Sequence, residues 1–308
     1  MKHKIIFDCD PGHDDAIALL MAFAAENIDV LAVTVVGGNQ TLRKTLNNTQ
    51  RILGYADIKC TIAAGCDAPL FRELIVAPEV HGESGLEGPE IPDFDLPVED
   101  KHAVEVMRNI LQDSASPITL VATGPLTNVG LLLKTYPHLK DKIKDIAIMG
   151  GAMVGGNWSP SAEFNILVDP EAAKIVFDSG IQVHMAGLDV THKALVTPVD
   201  AEKLRTTGKK VAIMVAELLD FFAKFHHTMG FEATPLHDPV TLAYLIDPSL
   251  ITTEDYYVQI DTDGEFTLGA TVVDQLGVLN KPKNVKVMTD INQKGFVDLM
   301  INLVTKYA

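Results

Sequence analysis

The stretch Asp8-Cys9-Asp10-Pro11-Gly12-His13-Asp14-Asp15 places four carboxylates within eight residues, directly behind an apolar run. Like charges packed this closely repel by several kcal/mol unless protons or a cation intervene. Capping of a following helix explains Asp14 or Asp15 but not all four acids, so the cluster reads as a metal site. Oxygen-only donors suit a hard divalent cation, Ca²⁺ or Mg²⁺. An EF-hand loop opening at Asp8 would end on Leu19 instead of Glu, with Gly12 one place early. Zinc is disfavoured because no HExxH or Cys/His spacing is present. Asp8 and Asp10, two apart on a strand, share a face, and Cys9 between them points the opposite way, into the core. Pro11-Gly12 makes the turn. Asp14 and Asp15 fall in the first turn of a helix, where the dipole favours negative charge.

Further polar groups recur at the ends of apolar runs. In Pro235-Leu236-His237-Asp238-Pro239 an Asp–His pair precedes an apolar helix. It is either a cap or a further metal ligand (Asp238) beside a proton donor (His237), histidine being the usual acid near neutral pH. Asn157, Glu163 and Asn165 lie in a glycine-containing loop and offer amide and carboxylate hydrogen bonds suited to a polyhydroxylated ligand. Gly37-Gly38-Asn39 and Thr123-Gly124-Pro125 repeat the theme, and the Thr123 carbonyl is within reach of a cation. His81 belongs to the first of two long loops and is either a ligand contact or a surface residue. Phe221, Phe225 and Met229 share a face of one long helical segment that either packs in the core or lines a pocket for a flat ring.

The elements that must hold these groups alternate. Strands are expected at Lys4–Phe7, Val30–Val36, Lys59–Ala63, Ile118–Ala122, Asp145–Met149 and Gln182–Ala186. Helices are expected at Asp14–Glu26, Gln40–Tyr55, His102–Gln112, Pro125–Thr135 and Pro170–Ser179. Such alternation predicts an α/β fold with a mostly parallel sheet covered on both faces. Beyond it come helices at Val211–Met229 and His237–Ile246. A small hairpin, Tyr256–Ile260 with Thr267–Val273, turns about Asp263-Gly264. A strand is expected at Val285–Met288, with a helix closing the chain. No linker or repeat interrupts residues 1–308, so a single large domain is expected. The long loops Gly65–Asp100 and Gly150–Asp169 are of a length that is usually functional.

Composition narrows the partners. The 308 residues carry 25 basic and 41 acidic side chains, a net charge of −16. A body so negative repels nucleic-acid polymers but accepts a neutral small molecule or a divalent cation. With 47% hydrophobic residues and a mean hydropathy of +0.17, the chain is not disordered. No apolar run is long enough for a membrane span. The start lacks the apolar core and cleavage site of a signal peptide. Cys9, Cys60 and Cys66 are an odd number without a CxxC and read as buried thiols in a reducing cytoplasm.

The segment DCDPGHDDA resembles the signature of the nucleoside hydrolases, which cleave the N-glycosidic bond of ribonucleosides. Asn39, the His81-Gly82 loop, Gly124–Asn128, Met149-Gly150-Gly151, Glu163-Phe164-Asn165 and His237-Asp238 follow in that family's order. The resemblance therefore spans nearly the whole chain. Through HGESGLEGP and Thr271–Pro282 it is strongest to the bacterial pyrimidine-preferring ribonucleoside hydrolases. The resemblance implies Ca²⁺ held by Asp10, Asp15, Asp238 and the Thr123 carbonyl, with Asp10 also the general base and Asp8 steadying the ligands. It implies a ribose gripped by Asp14, Asn39, Asn157, Glu163 and Asn165, with Met149 packed beside it. His81 and His237 would face the base, His237 as proton donor. It further implies nucleoside salvage in the cytoplasm and a homo-oligomer, tetramer or dimer. The apolar stripe on the long helix leaves pyrimidine and purine preference both open.

Two other readings use the same residues. A haloacid-dehalogenase-like phosphatase also opens on a strand ending in DxD, but it continues to Thr or Val where this chain has Gly12, and it has no use for Asp14-Asp15. A non-catalytic Ca²⁺-dependent nucleoside-binding protein would use the carboxylates and amides without needing a base beside water.

Overall fold

Apolar runs buried on both sides are the mark of strands inside a parallel sheet, and the first of them, Ile5–Cys9, is fully buried. The structure, a computed structural model, describes residues 2–308. Its main sheet has eight strands: β1 (His3–Cys9), β2 (Ile28–Val35), β3 (Ile62–Ala64), β4 (Ile118–Ala122), β5 (Ile143–Met149), β6 (Val183–Ala186), β7 (Ile251–Tyr256) and β8 (Val285–Ile291). Their spatial order is β3-β2-β1-β4-β5-β6-β8-β7. All neighbours run parallel except β7, antiparallel to β8 at the edge. No helix among the described residues is long and apolar enough to cross a membrane.

Alternation along β1 divides the core in two. Ile5, Phe7 and Cys9 face helices His13–Ala24, Lys210–Thr228, Asp238–Ile246 and Gln293–Val304. Ile6 faces the other layer, helices Ala103–Asp113, Thr127–Thr135 and Pro170–Phe177. From β1 the chain proceeds outward to β2 and β3, then returns to place β4 on the other flank of β1. The carboxyl ends of β1 and β4, paired at Asp8 and Ala122, thus form the reversal point where open α/β sheets bind ligands.

The outline expected from sequence holds, with local differences. β1 ends at Cys9, so Asp10 belongs to the turn. The helix after β4 begins at Thr127, leaving Pro125 in the preceding turn. The expected hairpin is a pair Val258–Ile260 and Thr271–Val273, but ten residues separate them. Asp261 accepts from the amides of Asp263 and Gly264 and from Thr267 Oγ1, closing a wide turn. The longest elements that carry no expectation are β7 and the helix Pro198–Thr206 with its Thr197/Asp200 capping box; several one-turn helices and two-residue strands carry none either.

Asp169 ties the second layer together. Fully buried, it caps helix Pro170–Phe177 by accepting from Ala172 N at 2.9 Å, and it also accepts from Leu70 N at 2.9 Å and Thr127 Oγ1 at 2.7 Å. Replacing Asp169 by Ala strands three donors and should lower unfolding free energy by about 3 kcal/mol. Urea denaturation measures this, and a loss below about 0.5 kcal/mol would contradict the role given to the cap.

Candidate active site

The reversal point gathers acids from three segments. Asp8, the last residue but one of β1, is buried, accepting from Thr34 Oγ1 at 2.6 Å and Asn128 Nδ2 at 2.8 Å through Oδ1, while Oδ2 has no partner among the described residues. Asp10 turns Oδ2 to the Asn39 amide at 2.6 Å, and its buried Oδ1 is likewise unpartnered. Asp15 reaches back to Gly12 N at 3.1 Å and accepts from Thr123 Oγ1 at 2.7 Å. Asp238, at the start of its own helix, completes the group. Carboxylate oxygens of Asp14, Asp15 and Asp238 lie within 4.8 Å of one another. Glycine is required at 38 and 124, because a Cβ at either position would collide with the Asp10 carboxylate.

Burial dominates the electrostatics. It pushes Asp8 up to about 7 and holds Asp10 well above the usual range, with the Asp15 charge adding to the effect. Asp14 and Asp15 are raised for the same reason. Asp238 is raised by burial and by its three acidic neighbours. None of the ion pairs among the described residues brings Lys or Arg to these acids. An unpartnered oxygen on Asp10, a tight carboxylate trio and a nearby main-chain carbonyl fit a hard divalent cation. The group differs from the expected ligand set: Asp14, expected at the sugar, closes with Asp15 and Asp238, and Asp10, expected as a ligand, falls outside that trio.

A cleft of about 870 Å³, its open mouth included, rises from the acids. Asp14, Asn39, Thr123, Met149, Asn157, Glu163, Asn165 and Asp238 line one end. Asn39 Nδ2 donates to the Asp10 carbonyl and to Asp15 Oδ2. Glu163 is buried and pushed up to about 7 by that burial, even though it accepts from the amides of Gly151, Asn165 and Ile166. Asn165 Nδ2 donates to the Thr123 carbonyl at 2.7 Å and the Met149 carbonyl at 3.2 Å. Asn157 is exposed at the rim, accepting from Phe164 N at 3.0 Å. The carboxamides and carboxylates so arranged suit a diol-bearing ligand.

The other end is aromatic. His81, buried, and His237, half-buried, line it, and desolvation shifts both toward the neutral form. His237 Nδ1 lies 2.9 Å from Thr191 Oγ1, leaving Nε2 free. Phe225 and Met229 line the cleft, but Phe221 does not; Phe222 and His226 take that face instead. Trp158, His192 and Phe231 also line it and carried no expectation, since single aromatic residues in loops give no spacing signal. His13, inside the signature, is wholly buried against His81 and Phe222.

Residues 5–298 match the family described as inosine-uridine preferring nucleoside hydrolase. The chain is 52% identical to the pyrimidine-specific ribonucleoside hydrolase RihA of Citrobacter koseri over 313 aligned positions, covering 100% of both chains. It is 51% identical to the protein of the same description from Salmonella typhimurium, again over 100% of both. Among solved structures, the purine-preferring ribonucleoside hydrolase of Gardnerella vaginalis superposes with a TM-score of 0.92 at 30% identity, covering 98% of each chain.

The raised carboxyl pKa values fix a sign. A carboxyl whose folded pKa exceeds its unfolded value contributes stability that is full below the unfolded pKa and is lost as pH rises through the folded one. For Asp8 and Glu163 that loss builds from about pH 4 and is complete near pH 7, and Asp10 and Asp238, held well above the usual range, carry it past neutrality. The buried histidines around the cleft, His13, His81 and His226, are shifted down by burial and give no offset there. Chelator-treated protein should therefore unfold at falling temperature as pH climbs past neutrality, and added Ca²⁺ or Mg²⁺ should raise the midpoint and flatten the slope. Differential scanning fluorimetry reads both, and a midpoint indifferent to cation at mildly alkaline pH would contradict the metal site.

Proposed function

The chain belongs to the inosine-uridine preferring nucleoside hydrolase family, and within it we propose that this ribonucleoside hydrolase acts on pyrimidine ribonucleosides, uridine and cytidine, releasing ribose and the free base. The observation carrying the chemistry is the unpartnered Asp10 carboxylate oxygen within a buried acid cluster of which Asp14 and Asp238 line the cleft and Asp10 lies just behind them. The pyrimidine preference rests on identity to relatives described as pyrimidine-specific over their full length.

Breaking a ribosyl C–N bond builds positive charge on the sugar, as in glycoside hydrolysis. Buried carboxylates already in place stabilise that charge without reorganising. In this reading Asp10 is the general base that takes the proton from the attacking water. Asp14, Asn39, Asn157, Glu163 and Asn165 hold the ribose hydroxyls, with Met149 against the sugar. His237 Nδ1 lies against the Thr191 hydroxyl; in the tautomer where Nδ1 accepts from it, His237 carries its proton on Nε2 and gives a hydrogen bond to the departing base. Asp8, anchored by Thr34 and Asn128, steadies the turn that carries Asp10. Ca²⁺ bound by Asp10, Asp15, Asp238 and the Thr123 carbonyl would supply a charge that clasps the ribose diol and acidifies the water. The same reading makes residues 1–308 one catalytic domain acting as a homo-oligomer in cytoplasmic nucleoside salvage.

A ribose-release assay across uridine, cytidine, inosine and adenosine tests the substrate class, with the two pyrimidines expected to have the higher kcat/KM. Asp10→Ala should lower kcat by about a hundredfold or more, the usual range for a general base. Full activity in that variant would remove Asp10 from the mechanism. Deoxyuridine should be turned over at least about tenfold more slowly than uridine, a difference of about 1.4 kcal/mol, and equal rates would contradict the diol clasp.

A further inference from the structure

His13 opens helix His13–Ala24 and has no exposed surface. It does not line the cleft, yet both ring nitrogens are engaged with the loop that does. Nε2 lies 2.7 Å from the Glu87 carbonyl and Nδ1 lies 3.0 Å from His81 Nδ1. The ring is parallel to Phe221 at 5.0 Å and to Phe222 at 5.4 Å. Gly12 makes the contact possible: a Cβ there would sit 2.6 Å from His81 Nδ1 and Cε1. The loop is also pinned from its outer side, where Gln40 Nε2 donates to the Gly82 carbonyl at 3.2 Å and Asn48 Nδ2 to the Ser84 carbonyl at 3.0 Å.

We propose that His13 is a positioning residue for base recognition, locking His81 in one orientation and one tautomer so that His81 Nε2 is presented to the nucleobase as an acceptor. The proton assignment follows from the partners. A carbonyl only accepts, so His13 places its proton on Nε2 for Glu87 and turns a bare Nδ1 toward His81. His81 Nδ1 then carries the proton of the shared bond, and His81 Nε2, which makes no hydrogen bond among the described residues, is left bare. The His13 main-chain N–H also approaches His81 Nδ1, at 3.4 Å, the longer of the two contacts and the weaker claim on that nitrogen. The hydrogen-bonded chain Glu87–His13–His81 thus runs from the loop's far end through the helix start to the base end of the cleft, so a residue that never meets substrate sets what the base meets. The proposal rests on the hydrolase reading, in which His81 faces the base.

Steady-state kinetics on uridine with the metal-loaded full-length enzyme test it. His13→Phe keeps a flat ring beside Phe221 and Phe222 and removes both polar contacts; kcat/KM should fall about tenfold, the scale of a lost hydrogen bond to a reacting complex. His13→Asn restores an acceptor at the level of Nδ1 and should recover to within about threefold of wild type. In an His81→Ala background, His13→Phe should cost nothing further, because its effect passes through a side chain already gone. Equal penalties for His13→Phe with and without His81 would overturn the proposal, as would an undiminished single variant. Should the phenyl ring prevent folding, as judged by circular dichroism, His13→Leu enters the same cycle. A wild-type enzyme that releases no ribose from any ribonucleoside would overturn the hydrolase reading instead, so the two failures are told apart.

Discussion

Five carboxylates are buried at the reversal point; Asp10, Asp14, Asp15 and Asp238 repel one another there, with Asp8 buried behind them, and much of the surrounding structure compensates. Fixed donors meet them on several sides: the hydroxyls of Thr34 and Thr123, the carboxamides of Asn39 and Asn128, and the Gly12 amide at a helix start. These dipoles reduce the cost without cancelling the charge, since no basic side chain enters the group. The remaining negative potential in a poorly solvated pocket is what a cation and a sugar developing positive charge both require. Stability and catalysis therefore pull against each other at the same atoms, which is expected where strain serves function.

The sheet topology makes this crowding geometrically possible. Asp10 follows β1, Thr123 follows β4, Asn39 follows β2 and Met149 ends β5, so adjacent parallel strands deliver four groups to one edge. Parallel pairing fixes their register, and helices on both faces hold the strands against slippage. Asp238 arrives from a distant helix of the first layer. Glycines 38 and 124 let the chain pass close enough for the Asp10 carboxylate to lie between them.

Much of this was legible in the sequence. The DCDPGHDDA stretch announced buried acids at a strand end, and the alternation of apolar runs with helical segments announced the sheet. Less legible were elements whose stability comes from tertiary contact. Ile251–Tyr256 is a polar edge strand with little alternation to mark it, and Pro198–Thr206 is a short helix whose capping box is its main signal. On the long helix, counting in fours from Phe221 picked a line of residues that only partly coincides with the cleft. The lining face runs through Phe222, Phe225, His226 and Met229, a three-and-four spacing, while Phe221 turns to stack on His13. His13 itself sat inside the most conspicuous motif, but its partners, His81 and Glu87, lie 68 and 74 residues away, beyond any local spacing rule.

Catalysis and base selection are assigned to different parts of the architecture. The acid end of the cleft is built largely from residues just past strand ends, positions set by the sheet. The aromatic end is built from His81, the last turns of helix Lys210–Thr228 and Trp158, none of which belongs to the sheet. A structure that superposes at a TM-score of 0.92 is described as purine-preferring, while relatives at about half identity are described as pyrimidine-specific. Backbone likeness at that level therefore leaves base preference undetermined, and it must be sought in side chains at the second end. There the Glu87–His13–His81 chain gives helix His13–Ala24 a hand in both ends at once: its first turn supplies Asp14 and Asp15 to the acid cluster, and its first residue contacts His81, which lines the cleft and in the proposed reading meets the base.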